Sequence, residues 1–112
     1  MTTKKSKDSS LKKKEDAFIQ ELLDGPLTFG EAVEALRLRD GFSQVAFAKK
    51  MGISKQYLCD VEKGRRYVSP EQAVRFSKAF GHAPSLFVRL ALQDSVTASG
   101  LNFIVHVEEE AA

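Results

Sequence analysis

The sequence holds a single cysteine, Cys59, so no disulfide can form within the chain, a pattern of the reducing cytoplasm. Its two histidines, His82 and His106, lie far from each other and from Cys59. That leaves no metal-ligand spacing, and no zinc site is expected. No apolar run approaches the roughly 18 residues of a membrane-spanning helix. The N-terminal stretch is charged and lacks an apolar h-region, so it does not read as a secretory signal, and a cytoplasmic protein is expected. There is no internal repeat, no nucleophile–base pair, no set of paired carboxylates and no Gly-rich phosphate loop. An enzyme is therefore not expected, and no cofactor is called for.

What is present is an ordinary apolar fraction, 43% over 112 residues, enough for one domain with a modest core. The formal net charge of +2 hides segregation along the chain. Residues 1–14 carry six Lys against Asp8, and residues 15–34 carry six acids and no base. Residues 37–89 carry eleven bases against Asp40, Asp60, Glu62 and Glu71, and Asp94 with Glu108, Glu109 and Glu110 makes the end acidic. A compact basic middle is the electrostatic footprint of a phosphate binder, although solvated helix surfaces produce similar runs.

Three regions follow from the pattern. Residues 1–14, MTTKKSKDSSLKKK, read as a disordered basic arm. Residues 15–98 read as one helical domain. In it Phe18, Ile19, Leu22 and Leu23 recur at helical spacing before Gly25-Pro26 stops an extra N-terminal helix. Thr28 and Glu31 form a capping box that starts a helix near residue 29, with Phe29, Val33 and Leu36 inward. Ser43 caps the next helix, whose stripe is Phe47, Ala48 and Met51, and Gly52 ends it. Ser54 caps a helix over 55–62. Ser69-Pro70-Glu71 starts another, with Ala73, Phe76, Ser77 and Phe80 inward. A fifth runs from Pro84 to about Ser95, apolar round most of its cylinder, which suggests a partner surface. In residues 99–112, Leu101 to Val107 read as one β-strand rich in branched and aromatic side chains. A lone strand leaves its backbone unpaired. Its own copy across a twofold axis is the economical partner, with Leu101, Phe103, Val105 and Val107 at a dimer interface and an acidic tail beyond.

Two helices joined by a tight turn containing Gly52 make a helix-turn-helix arrangement. At about 100° per residue, Leu58 and Val61 share the inner side of the second helix. Gln56, Cys59, Asp60 and Lys63 lie opposite, flanked by Lys55 and Tyr57. A helix fits the DNA major groove, where Gln suits adenine, Lys suits guanine and Asp suits cytosine. Lys55, Gln56, Tyr57 and Asp60 are therefore the candidate base readers. Gln44, Ser54, Lys63, Arg65 and Arg66 are the candidate phosphate contacts.

The stretch SQVAFAKKMGISKQYLCDVEKGRRYVSPEQAVRFSKAFG resembles the phage-repressor-like helix-turn-helix domain of the Cro/repressor or XRE class. The resemblance spans roughly residues 28–92 and rests on Ser43-Gln44, Ala48, Gly52-Ile53-Ser54, Leu58, Glu62 and Gly64. It implies an all-α, five-helix, lambda-repressor-like fold that binds palindromic double-stranded operators as a homodimer, here with the extra N-terminal helix and the C-terminal strand. It also implies a structural ion pair between Arg37 and Glu62 that clamps the motif. Asp60 departs from the Ser, Gln or Asn usual at its position. It can accept from cytosine, or orient Lys63 or Gln56. Some members are antitoxins, so the resemblance carries the alternative of a toxin protein as partner, with autoregulation of the operon.

Overall fold

A computed structural model describes residues 27–110. Five helices follow in order: α1 Phe29–Arg39, α2 Gln44–Met51, α3 Lys55–Glu62, α4 Pro70–Phe80 and α5 Pro84–Ala98. The basic arm and the extra helix expected over 15–24 lie outside the described residues.

Local chemistry sets the starts of α1 to α4. The Thr28–Glu31 capping box closes on both sides. Thr28 Oγ1 accepts from Glu31 N–H at 3.1 Å, and Glu31 Oε1 accepts from Thr28 N–H at 3.0 Å. Ser43, Ser54 and Ser69 each cap the following helix through the hydroxyl, to Ala46, Tyr57 and Gln72. Each such cap satisfies one orphan N–H and contributes about 1 kcal/mol. Gly52 ends α2 at φ +71° and hands the chain to Ile53-Ser54 within one step. That left-handed conformation costs a residue with a Cβ about 1–2 kcal/mol.

The core is aromatic. Phe47 of α2 stacks on Phe80 of α4 with centroids 4.8 Å apart. Phe29 of α1 meets Phe76 and Phe87 edge-on at 5.4 and 6.2 Å. Phe80 in turn stacks on Phe87 at 5.9 Å, so α1, α2, α4 and α5 share one cluster. Offset and edge-on pairs of this kind add about 0.5–1.5 kcal/mol each beyond their buried area. In α4, Ala73, Phe76, Ser77 and Phe80 are the buried set, matching the four positions expected to point inward. Into this frame α3 inserts Leu58 and Val61, 0% and 1% exposed.

Two expectations meet a different outcome. Helix α5 runs to Ala98, three residues beyond the expected end near Ser95. The strand expected over 101–107 does not form within this chain, and no β-ladder occurs among the described residues. Instead the Gln93 side chain takes the segment onto α5. Its Nε2 donates to the Phe103 carbonyl at 2.9 Å, and its Oε1 accepts from Val105 N–H at 2.8 Å. One amide thus stands in for a neighbouring strand. A true ladder needs a second extended segment, and the described chain offers none.

Candidate nucleic-acid interface

The site is built around the end of α3. Arg37 reaches from α1 and grips Glu62 in a fork. Nε lies 2.6 Å from Oε2, and Nη2 donates to Oε1 at 3.1 Å. Its Nη1 donates to the Phe42 carbonyl at 2.7 Å. Both residues are buried. Hydrogen bonding to Glu62 holds the Arg37 guanidinium above its usual range, outweighing the burial that opposes its charge. Gln44 of α2 completes the network, donating from Nε2 to Glu62 Oε1 at 2.9 Å. One carboxylate therefore fastens the three helices that carry the motif, and among the described residues no buried side-chain N or O lacks a partner.

The candidate base readers sit differently from one another. Lys55 and Gln56 are exposed on the first turn of α3, and Lys63 is exposed at its C-terminal end. Asp60 is half-buried and ties two neighbours together: Gln56 Nε2 donates to its Oδ1 at 3.0 Å, and Arg65 Nε lies 3.3 Å from the same oxygen. Tyr57 is not a free outer residue. Its ring packs against the core, its hydroxyl accepts from Gln72 Nε2 at 3.4 Å, and the Arg66 guanidinium lies 5.2 Å from the ring centroid. Among the candidate phosphate contacts, Arg65, Arg66 and Ser54 are exposed. The Ser54 oxygen serves the α3 cap but keeps its own proton to donate. Gln44 turns its side chain inward on Glu62. The second amide proton and the backbone N–H at the start of α2 are the donors it has left for a phosphate.

Four features escaped the sequence reading. Gly30 in α1 faces the end of α3 so closely that a Cβ there would overlap the Val61 carbonyl oxygen and stand 2.7 Å from that of Glu62. Lys50 donates to the Ala79 carbonyl at 3.0 Å and lies over the Phe42 ring, so it braces α2 against α4. Arg75 of α4 reaches the Met51 carbonyl at the end of α2 and the Gln72 side chain. Asp94, which the charge pattern groups with the acidic end, caps α1 from α5 by accepting from Phe29 N–H at 2.9 Å.

Burial raises the Asp94 carboxyl above the usual range, Glu31 adds to the rise, and the hydrogen bond from Phe29 opposes it. The folded chain therefore binds more protons at this site than the unfolded chain between the unfolded pKa of about 3.9 and the raised folded one, so this contribution to stability falls as pH rises through that window. Asparagine keeps an acceptor for Phe29 and carries no charge. Asp94→Asn should thus gain stability relative to the parent as pH goes from the acid side of the window to neutrality. Urea unfolding at several pH values checks this; a difference that stays flat with pH contradicts it.

An eight-residue helix is anchored from below, fastened at one end and presented outward with donors. That is the architecture of a DNA-binding helix-turn-helix domain. A family model for helix-turn-helix matches residues 33–86, and the chain belongs to this family as a DNA-binding transcription regulator of the XRE type. The control protein C.BamHI of Bacillus amyloliquefaciens is similar, 36% identical over 59 residues that make up 52% of this chain and 73% of that protein. No solved structure matches. Among the described residues no helix is long and apolar enough to cross a membrane, and no three His, Cys, Asp or Glu side chains converge as a metal site would require.

Proposed function

We propose that the protein is a homodimeric repressor that reads a palindromic operator by placing α3 in the major groove. The observation that carries this reading is the outer flank of α3. Lys55, Gln56 and Lys63 are open to solvent while Leu58 and Val61 hold the helix from the core side. Arg65 and Arg66 follow directly, exposed where the chain leaves the helix, and suit phosphates on either side of the groove. The similarity to a protein named as a control protein supports a regulatory role.

The dimer reading draws on the opposite end of the chain. Phe103 and Ile104 are 65% and 79% exposed, and Leu92 and Leu101 are exposed as well. Gln93 occupies the backbone groups of Phe103 and Val105 that point toward α5. In an extended segment those of Ile104 point the other way, where a second copy would pair. Sedimentation of the free protein checks this, and a monomer at working concentration contradicts it.

The DNA reading is tested by titration on an operator selected from random sequence. Gln56→Ala should cost about 1–3 kcal/mol on that site and relax one base position. Arg65→Ala should weaken every sequence alike and reduce the salt dependence, whose slope is about −0.9 per phosphate contact in B-form DNA. Unchanged binding in both variants would place the reading face elsewhere.

A further inference from the structure

Asp60 is an odd residue to present to a groove walled by phosphates. Its side chain is 25% exposed on the reading side of α3, and two donors converge on one of its oxygens. Arg65 offsets its charge, and the same guanidinium donates from Nη2 to Cys59 Sγ at 3.8 Å, which holds it along the helix. The cost of a carboxylate at this place is thereby reduced.

What the carboxylate does follows from its chemistry. It accepts hydrogen bonds and donates none, so the Gln56 amide can turn only its nitrogen toward it. An amide with no such partner can present its oxygen and nitrogen in either order. Here the order is set. One N–H of Nε2 is held by Asp60, and the other N–H and Oε1 are left to face outward. Adenine offers N7 as acceptor and N6 as donor, the set such an amide matches in two hydrogen bonds.

We propose that Asp60, paired with Arg65, is a positioning residue that fixes the Gln56 side-chain amide so that α3 selects adenine at one operator position. The proposal rests on the reading in which α3 enters the major groove. Asp60 acts through Gln56 and makes no base contact of its own.

The test compares the wild type, Asp60→Asn, Gln56→Ala and the double variant. Each is put through selection from a random DNA pool, then titrated on operators altered one base at a time. The wild type should select adenine at one position. Asn can donate as well as accept, so Asp60→Asn should lose about 10-fold of the discrimination at that position and little elsewhere. Removing one negative charge should also tighten its binding to random DNA. In the Gln56→Ala background, Asp60→Asn should change no base preference. An unaltered melting temperature for Asp60→Asn separates these effects from loss of fold. If the wild type selects a sequence and Asp60→Asn keeps the same preference, Asp60 has no positioning role. If Asp60→Asn shifts a second base in the Gln56→Ala background, Asp60 reads DNA directly and the proposal fails. If the wild type selects no sequence, the major-groove reading itself falls, and the proposal with it.

Discussion

Glu62→Ala is expected to lower the unfolding free energy by about 3–5 kcal/mol, because it leaves a buried arginine without its counter-charge. Arg37 is fixed in place by α1 and by its bond to the Phe42 carbonyl, so it cannot follow the lost carboxylate into water without opening the helix junction. Gln44 loses its acceptor at the same time. Against a total stability of about 5–15 kcal/mol for a small domain, this is a large fraction. Urea denaturation measures it, and a loss below about 1 kcal/mol would show that water reaches the guanidinium. The double change Arg37→Met with Glu62→Leu should recover most of the loss, since packed apolar residues often replace a buried ion pair at no net cost. If the recovered double variant still binds its operator, the ion pair serves stability alone. If it folds and binds poorly, the pair sets the angle at which α3 is presented.

Gly30→Ala should be nearly as damaging, for a steric reason. The added methyl would overlap the Val61 carbonyl oxygen and stand 2.7 Å from that of Glu62, and both obstacles are backbone. Neither can rotate away, so α1 must lift from the end of α3. The expected cost is at or above the upper end of the roughly 1–3 kcal/mol typical of overpacked cores. At about 4–8 °C per kcal/mol for a domain of this size, the melting temperature should fall by more than 10 °C. Gly52→Ala is the useful contrast. Its Cβ would meet only an Arg75 nitrogen, 4.0 Å away, so its penalty of about 1–2 kcal/mol is that of the left-handed backbone alone. A Gly30→Ala variant that melts no lower than Gly52→Ala would mean that α1 can shift freely.

The starts of α1 to α4 and the stop of α2 were readable because they are local. Thr28 with Glu31, Ser43, Ser54 and Ser69 act within three residues, and Gly52 acts on the next peptide. The inner faces of α2, α3 and α4 were readable for a related reason, since helical periodicity is a property of neighbours. The exposed flank of α3 follows once Leu58 and Val61 are placed inside. What the sequence hid depends on partners far along the chain. Asp94 caps a residue 65 positions away, and nothing beside it marks it apart from the glutamates downstream. Gly30 looks like an unfavourable residue within a helix until α3 is laid against it. Tyr57 looked exposed on a single-helix wheel because the wheel omits Gln72 of α4 and Arg66 beyond the turn. The segment 101–107 has strand-forming side chains, but strand formation is a property of pairs. Within one chain, the Gln93 amide takes the place of a partner.

The seating of α3 also dictates how the protein could be given a new target. Its first turn hangs on the Ser54 hydroxyl, and its last is wedged beneath α1 by the bare face of Gly30 and the Arg37 fork. Little slack remains for the helix to roll. On the major-groove reading proposed above, a library meant to recode its target should therefore vary Lys55, Gln56, Cys59, Asp60 and Lys63 together. Gly30, Leu58, Val61 and Glu62 should stay untouched, because a change there tilts every letter of the code at once.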